Sequence, residues 1–461
     1  MIIGIGTGEW GDITAAALQA IQQGRRVILQ TNQVPLAGEL QSRGIAFSSL
    51  DSLYEAAEDF DQLAQMAAEA VGEEDVFCVL GSVWQNRLAQ AVLNRCQSHA
   101  IIPGISLADK ALAAAGLFPS SPLICSADEF RDYRGERTAV ITEVDSQLKA
   151  SDIALQLMRF FGSEAMVWLV RQGQAHQLTL YQLQRETAFD YSCAIIAEPV
   201  PLVQKEGYSF YDLCQILSIL RDENGCPWDR EQTHQSLRPY LLEESYEVMD
   251  AIDQEDAFML SDELGDVLMQ VVFHAQIGAE FSEFDIDDVT TNICQKMIHR
   301  HTHIFGQDKL DTAEAVSGNW EAIKRKEKGL SSYTDALRDV PKGMSTLIRS
   351  GKIQKKAGLA GFDWDDWRGP FEKVLEEAEE LRRDAEAGAD PEGEAGDLLF
   401  AVVNLLRFLK VSPDAALNQT CEKFIRRFAF MEAAAQQQGK DLASLPLEEQ
   451  DALWQQAKQS E

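Results

Sequence analysis

The fold of the C-terminal half is decided by the sequence LLEESYEVMDAI (residues 241–252) and by SDELGDVLMQVVFHA (residues 261–275) just after it. The same acidic pattern returns in VLEEAEELRRDA (374–385) and EGEAGDLLFAVVNLL (392–406). Both copies read Glu-Glu-x-x-Glu in the first segment and Glu-x-x-Asp in the second. Because residues three or four apart share one face of a helix, each copy is predicted to form two helices that present one cluster of carboxylates.

Basic and aromatic residues follow both acidic stretches in the same order. After the first copy come Lys296, Arg300, Trp320 and Lys324, and after the second come Lys423, Arg427, Trp454 and Lys458. The spacing of the lysine and arginine is the same in both copies, and so is the spacing of the tryptophan and lysine that follow. Only the gap between these two pairs differs, as expected when loops change length and helices do not. The C-terminal half is therefore predicted to be an internal repeat.

Length and charge limit the classes of protein to consider. A chain of 461 residues suggests roughly two to four domains. A net charge of −33 argues against binding of a nucleic-acid polymer, because phosphate backbones are gripped by clustered lysine and arginine. It does not exclude a nucleotide, which bound metal and a few local cations can hold.

Cysteine usage and hydropathy indicate the compartment. The eight cysteines are scattered without a C-x-x-C pair, so neither a disulfide framework nor a cysteine zinc site is expected. The opening MIIGIGTGEWGD has no basic segment before a long apolar run, and no stretch approaches about 18 uninterrupted apolar residues. We therefore expect a cytoplasmic protein that does not associate with a membrane.

The pattern of predicted elements changes near residue 206. Residues 1–205 alternate short β-rich runs with amphipathic helical stretches, which predicts an α/β domain with a largely parallel sheet. Beyond it, two all-α helical bundle domains are predicted at 206–330 and 331–461. The predicted strands are MIIGIG, RRVILQT, DVFCVLG, HAIIPGIS, RTAVITEV, AMVWLVR and SCAIIAEPV.

The clustered carboxylates of the repeat indicate metal chemistry. Four or more carboxylates that converge from two helices repel one another, and divalent cations resolve that repulsion. All-oxygen ligation favours Mg²⁺ or Mn²⁺, which also bind phosphate oxygens and activate water. The downstream lysines and arginines would neutralise phosphate charge, and a tryptophan would stack on a base. A single Glu-Glu-x-x-Glu is more often a solvated face, but its coincidence in two copies favours metal.

Further stretches surround each acidic pattern. The first copy contains GCPWDREQTHQSLRPYLLEESYEV, DELGDVLMQVVFHAQ, HRHTHIFG and NWEAIKRKEKG. The second contains KIQKKAGLAGFDWDD, GDLLFAVVNLLRFL, EKFIRRF and LEEQDALWQQAK. In this combination, over about residues 206–461, the sequence resembles the MazG family of nucleoside triphosphate pyrophosphohydrolases.

The resemblance implies an activity and a set of site residues. The family cleaves nucleoside triphosphates and their deoxy forms between the α and β phosphates with Mg²⁺, giving a monophosphate and pyrophosphate, as nucleotide-pool housekeeping. Lys373, Lys423, Arg427, Trp454 and Lys458 resemble its substrate contacts. Glu243 and Glu376 are candidates for orienting or deprotonating the attacking water. The implied metal ligands are Glu244, Glu247, Glu263 and Asp266 in the first copy and Glu377, Glu380, Glu394 and Asp397 in the second.

Each copy also departs from the family's pattern. In the second copy, Gly393 replaces a carboxylate beside the third ligand glutamate, and Cys421 replaces a common asparagine. In the first, Tyr240 stands at the position of Lys373, and HRHTH (299–303) replaces a more basic segment. Neither copy has lost its four ligands, so either can be the active one.

The three histidines of the HRHTH segment, His299, His301 and His303, raise the alternative of a zinc site. Alternation by two would place them on one side only in a strand, and the context is a helix end and a loop. A structural or substrate-loop role is therefore preferred over zinc.

Glycines mark the start of the α/β domain. GIGTGEWGDITAAALQAI places Gly4, Gly6 and Gly8 between a strand and a helix, as a loop near a nucleotide-like ligand requires, although tight turns need glycine too. With LYEAAEDFDQLAQMAAEAV, IIPGIS and AVITEVDS in order, residues 1–205 resemble the tetrapyrrole (corrin/porphyrin) methylase family, which uses S-adenosylmethionine. The resemblance implies cofactor contacts at these glycines and at Pro103 and Gly104.

The methylase resemblance is weaker at the cofactor site than in the fold. Thr7 stands where proline is frequent, and CVLGSVWQN (78–86) replaces a segment rich in proline and glycine. The α/β fold is expected to carry over. Methyl transfer is not, since a divergent cofactor pocket or a purely structural or regulatory role is at least as well supported.

The leading hypothesis is thus a Mg²⁺-dependent nucleoside triphosphate pyrophosphohydrolase with a methylase-like N-terminal domain. The alternatives are an S-adenosylmethionine-dependent methyltransferase and a non-catalytic nucleotide-binding regulator. A P-loop NTPase is disfavoured because no G-x-x-x-x-G-K-[ST] occurs. The expected partners are nucleoside triphosphates and a second copy in a homodimer, because helical bundles often complete their cores by pairing.

Overall fold

The structure is a computed structural model that describes residues 1–95 and 100–460. Cys96, one of the eight cysteines, lies outside the described residues. The chain forms two compact units, Met1–Asp287 and Asp288–Glu461. No helix in the described ranges combines the length and the apolar composition needed to cross a bilayer.

The first unit begins with a five-stranded parallel sheet in the order β3-β2-β4-β1-β5. The central strands are continuous apolar runs, as strands covered on both faces require. Helices α1 and α2 cover one face, and α4 and α5 cover the other. The elements are β1 (Ile2–Gly4), α1 (Ala15–Gln23), β2 (Val27–Leu29), α2 (Pro35–Ser42), β3 (Phe47–Ser49), α3 (Asp51–Ala56), α4 (Phe60–Ala70), β4 (Val76–Val79), α5 (Arg87–Arg95) and β5 (Ile101–Ile102).

A second five-stranded sheet follows, in the order β6-β7-β10-β8-β9, with only the β6–β7 pair parallel. The α/β prediction is confirmed, and its parallel sheet is the first of two. Helices α6 and α7 cover opposite faces of the second sheet. The elements are α6 (Leu107–Ala115), β6 (Leu123–Ser126), β7 (Ala139–Thr142), α7 (Gln147–Phe161), β8 (Met166–Arg171), β9 (Gln174–Thr179), α8 (Leu180–Leu183) and β10 (Ala194–Ala197).

The first unit ends in helices. A long hairpin of two helices, α11 and α12, packs against α9 through Leu217, Leu237 and Phe273. Residues 254–256 form the tight connection of this hairpin, which places the acidic faces of its two helices side by side. The helices are α9 (Phe210–Arg221), α10 (Pro227–Glu231), α11 (His234–Asp253) and α12 (Ala257–Glu280).

The second unit is also helical. Helices α18 and α19 form a hairpin, α17 packs on α19 and α20, and α20 packs on α21. The all-α prediction is confirmed, because residues 206–460 contain helices and no strand. The helices are α13 (Ile286–Arg300), whose first two residues belong to the first unit, α14 (Thr302–Phe305), α15 (Ala313–Glu327), α16 (Tyr333–Arg338), α17 (Thr346–Gly358), α18 (Arg368–Ala387), α19 (Glu392–Phe408), α20 (Pro413–Gln437) and α21 (Leu447–Gln459).

Candidate functional site

The hairpin of α11 and α12 brings the acidic residues of the first copy together. Glu244 on α11 and Glu263 and Asp266 on α12 each offer a carboxylate oxygen, and these oxygens lie within 4.8 Å of one another. Glu247, one turn after Glu244, interacts with both Glu244 and Glu263. Glu243 is exposed beside the cluster. The four implied ligands of the first copy therefore converge.

Mutual repulsion shapes the electrostatics of this first cluster. Partial burial raises the pKa of Glu244, and the charges of Asp266 and Glu247 raise it further. The pKa of Glu263 is raised by desolvation and by Glu247 and Asp266. A divalent cation relieves such repulsion, and a donor set made only of oxygen suits Mg²⁺ or Mn²⁺. The residues present thus fit such an ion.

The hairpin of α18 and α19 builds the equivalent cluster in the second copy. Oxygens of Glu377, Glu394 and Asp397 lie within 4.8 Å of one another. Glu377 is buried, with 6% of its surface exposed. The pKa of Glu394 is raised by desolvation and by neighbouring carboxylates, of which Glu380 acts most strongly. Gly393, the departure noted in the sequence, is exposed at the start of α19 and leaves the three acids together.

A lysine distinguishes the second cluster from the first. The Nζ atom of Lys373 lies 2.5 Å from Oε1 of Glu377 and 2.9 Å from Oε1 of Glu376. These hydrogen bonds raise the pKa of Lys373, and the bond with Glu377 contributes most. At the matching position of the first copy, the ring of Tyr240 packs edge-on against Trp228 at 6.2 Å.

The basic residues of the first copy lie in the second unit, whereas its carboxylates lie in the first. Arg300 on α13 donates to Oε2 of Glu327 from Nε at 3.0 Å and from Nη2 at 2.6 Å. Its guanidinium also lies 5.2 Å from the ring of Trp320, which His301 contacts edge-on at 5.0 Å. Lys296 on α13 and Lys324 on α15 complete the predicted set. Glu327 is not among the predicted site residues, because it carries no sequence signal beyond its place in a basic helix.

The corresponding residues of the second copy are carried by α20 and α21. Lys423 and Arg427 are four residues apart on α20, and Trp454 and Lys458 are four apart on α21. The Arg427 guanidinium lies 5.6 Å from the Trp454 ring. The ring of Phe424, on the same helix as Arg427, lies 5.0 Å from the Trp454 ring. The structure thus groups Arg427 with Trp454. It adds Phe424, which is not among the predicted site residues.

The three histidines of the HRHTH segment contact neighbouring protein groups. Nδ1 of His301 lies 2.6 Å from the carbonyl oxygen of Met297, and the His301 and His303 rings are 5.7 Å apart. His299 approaches Glu327 at 3.9 Å. Within residues 1–95 and 100–460, the groups of three or more side chains that could hold one metal ion are the two acidic clusters.

The glycines of the α/β domain lie where backbones meet. A Cβ on Gly4 would lie 2.5 Å from the amide nitrogen of Gly104, and one on Gly104 would lie 2.4 Å from the carbonyl carbon of Gly4. Gly6 and Gly8 have φ values of 58° and 79°, which favour glycine. Pro103 is exposed beside Gly104. Close approach of strands and the turn itself thus account for these residue types.

Two cavities lie in the α/β domain, and the first is beside the glycine loop. One of about 660 Å³ is lined by Thr7, Glu9, Lys110 and Tyr191 among others. The other, of about 580 Å³, is lined by acidic and aromatic side chains that include Glu143. Burial raises the pKa of Glu143 to about 7, and Asp128 and Asp145 add to the shift although Lys149 opposes it. No sequence pattern indicated Glu143.

Comparisons with known proteins match both halves of the chain. The family model of tetrapyrrole (corrin/porphyrin) methylases matches residues 1–182, and that of the MazG nucleotide pyrophosphohydrolase domain matches residues 232–305. The uroporphyrin-III-C-methyltransferase structure from Thermus thermophilus aligns with 42% of this chain and 89% of its own, at 18% identity and a TM-score of 0.31.

Similar proteins cover the chain at higher identity. The uncharacterized protein YabN of Bacillus subtilis is 34% identical over all of this chain and 98% of its own length. The nucleoside triphosphate pyrophosphohydrolase/pyrophosphatase MazG of Thermotoga maritima is 43% identical over 256 residues, 56% of this chain and 98% of its own. The nucleoside triphosphate pyrophosphohydrolase of Escherichia coli K12 is 42% identical over 54% of this chain and 97% of its own.

Fold and site together define a two-part protein, with a methylase-like α/β domain ahead of a duplicated helical region that carries acidic clusters. The chain belongs to the MazG family, in the form that joins a tetrapyrrole methylase domain to the MazG repeat.

Proposed function

We propose that the chain is a Mg²⁺-dependent nucleoside triphosphate pyrophosphohydrolase that produces a monophosphate and pyrophosphate. The observation that carries the proposal is the pair of acidic clusters, each with three carboxylate oxygens within 4.8 Å. They lie in the region that matches proteins named nucleoside triphosphate pyrophosphohydrolases at 42–43% identity over nearly their whole lengths.

The reaction divides among the residues of each copy. Glu244, Glu247, Glu263 and Asp266, or Glu377, Glu380, Glu394 and Asp397, would hold Mg²⁺, and bound Mg²⁺ supplies phosphate charge neutralisation and an activated water. Water adds to one phosphorus of the α–β anhydride and the bridging P–O bond breaks. Glu243 or Glu376, beside the clusters, accepts the proton that water releases.

The basic and aromatic residues would bind the substrate. Lys373, Lys423, Arg427 and Lys458 would neutralise the phosphates of a nucleotide at the second copy. Trp454, next to Phe424, offers a ring on which a base can stack. Lys296, Arg300, Lys324 and Trp320, the matching residues that follow the first copy in the sequence, would act on phosphates and a base in the same way.

The test is to incubate the full chain with each nucleoside triphosphate and Mg²⁺ and to resolve the products. Monophosphate with pyrophosphate supports the proposal, whereas diphosphate with phosphate, or nucleotide binding without turnover, contradicts it. We expect Glu247→Gln or Glu380→Gln to lower kcat by at least about a hundredfold in whichever copy is active, because either removes a metal ligand. Glu379→Gln, next to Glu380 but paired with Arg382, is the matched control and should retain activity.

A second candidate function concerns the N-terminal domain. The match of residues 1–182 to tetrapyrrole methylases, together with the cavity of about 660 Å³ beside Thr7, supports binding of S-adenosylmethionine there. Calorimetric titration of the full chain with S-adenosylmethionine tests it, and the absence of heat would remove this candidate.

A further inference from the structure

We infer that Lys373 is a built-in counter-cation of the second cluster that competes with a divalent metal for Glu377, so that the two copies differ in their affinity for metal. The first copy has Tyr240 at this position. The inference rests on the proposed metal sites and adds a difference in regulation between them.

Lys373 forms a direct ion pair with one of the acids of the second cluster. Its ammonium group holds Oε1 of Glu377 at 2.5 Å, and Glu377 is one of the three acids whose oxygens converge. The side chain of Glu377 is only 8% exposed, whereas that of Lys373 is 37% exposed. An ion pair with one desolvated partner is screened less by water than a surface pair, so the lysine is a strong competitor for this oxygen.

The first cluster has a different balance of charge. The neighbouring charges that act most strongly on Glu244 are those of Asp266, Glu247 and Glu243, and all three are carboxylates. Tyr240 packs against Trp228 instead of an acid. Repulsion among these acids is therefore not offset by a residue at position 240, and a metal gains more by binding here.

Competition at Glu377 has a consequence for the order of binding. A metal that takes Oε1 of Glu377 must displace Lys373, which then needs a new anionic partner. The phosphates of a bound nucleotide provide one, and Lys373 lies on the same helix turn as Glu376 and Glu377. The second copy is thus built to favour metal and nucleotide together, while the first copy takes the metal alone more readily.

The experiment titrates the full chain with Mn²⁺ alone and measures free Mn²⁺ by electron paramagnetic resonance. Glu263→Gln with Asp266→Asn disables the first cluster, so that the second is measured by itself. Glu394→Gln with Asp397→Asn isolates the first cluster in the same way. Lys373→Tyr is then added to the former background and Tyr240→Lys to the latter.

The expected result is weaker Mn²⁺ binding at the second cluster than at the first, with opposite responses to the exchange. Removing a unit positive charge from contact with a ligand should tighten binding at the second cluster by roughly tenfold or more, and Tyr240→Lys should weaken the first comparably. Lys373→Arg keeps the cation and should leave the affinity low. Lys440→Met removes a lysine paired with Glu449 elsewhere in the second unit and should change nothing.

The inference is overturned if Lys373→Tyr changes the Mn²⁺ affinity by less than about twofold, or if Lys440→Met changes it equally. It is also overturned if Tyr240→Lys leaves the first cluster unaffected while circular dichroism reports a folded chain. Failure of the wild-type chain to bind Mn²⁺ would instead defeat the metal sites themselves. The two failures are therefore distinguishable.

Discussion

Glu143 carries its carboxyl group in surroundings that oppose ionisation. It follows β7, has a left-handed φ of 59° and lines the cavity of about 580 Å³. Burial raises its pKa to about 7, and nearby Asp128, Asp145 and Glu129 also raise it. A group with a raised pKa in the folded state stabilises the fold fully only below the pKa of the unfolded chain, which is near 4.5. This contribution is lost as the pH rises through about 7.

Glu143→Gln should therefore stabilise the first unit at pH 8 and leave it nearly unchanged at pH 4. The expected gain at pH 8 is on the order of 1–3 kcal/mol, because the charge no longer has to be desolvated. Thermal unfolding between pH 4 and pH 8 measures it, with Glu58→Gln, an exposed acid, as the control for lost charge. An equal pH dependence in wild type and Glu143→Gln would contradict the assignment.

Single residues also show how far sequence could predict the site. The convergence of Glu244 with Glu263, and of Glu377 with Glu394, follows from helical spacing and a short hairpin connection. The contact of Lys373 with Glu377 likewise follows from a separation of four. The pairing of Arg300 with Glu327 depends on how separate helices pack, which spacing along one helix does not determine.

The start of α9 is fixed by a buried ion pair. Nζ of Lys205 donates to Oδ1 of Asp212 at 2.7 Å, while Oδ2 accepts from the amide and the hydroxyl of Ser209. Both charged residues are buried, with 8% and 5% of their surfaces exposed. Burial alone would raise the pKa of Asp212, but these hydrogen bonds outweigh it and hold the pKa below its usual value.

Lys205→Met should destabilise the first unit by about 3–5 kcal/mol, because it leaves the Asp212 charge buried without its cation. Adding Asp212→Asn should recover part of this loss. A double-mutant cycle of the free energies of unfolding, measured in urea, gives the interaction energy of the pair. Because folding lowers the pKa of Asp212, its carboxylate stabilises the fold at pH values above the pKa of the unfolded chain. This contribution is lost as the pH falls through the pKa of the folded state. Wild type should therefore lose more stability in acid than the double variant, and equal acid sensitivity would contradict the role of Asp212.

Elements were predictable where one residue pattern dominates. Apolar runs indicated β1, β2 and β4, and all seven predicted strands are present. Strand β9 was missed because its sequence QAHQLT is polar and mostly exposed, and its pairing with β8 depends on a tight turn. Gln172 and Gly173 in that turn both have positive φ, as a two-residue hairpin requires. The second sheet therefore could not be separated from the first by sequence.

At the scale of the whole molecule, the helical part of the first unit exposes apolar surface. Leu242, Tyr246 and Met249 are 57%, 50% and 45% exposed and form one stripe on α11. Leu264, Leu268 and Val271, with the same spacing on α12, are 50%, 40% and 36% exposed. Contiguous apolar stripes on otherwise acidic helices mark an interaction surface. A second copy presents the same stripes, which an isologous interface can bury together.

We therefore predict that the chain is a homodimer with twice the monomer mass of 51.3 kDa in size-exclusion chromatography with light scattering. Leu268→Lys should shift the mass toward that of the monomer, because burying a lysine at the centre of an apolar stripe leaves its charge without a partner. Phe258→Lys is the matched control: Phe258 is 91% exposed at the start of α12, outside both stripes, so the dimer should persist. A wild-type mass of 51.3 kDa at micromolar concentration would contradict the dimer, and dissociation by Phe258→Lys would move the interface away from the stripes.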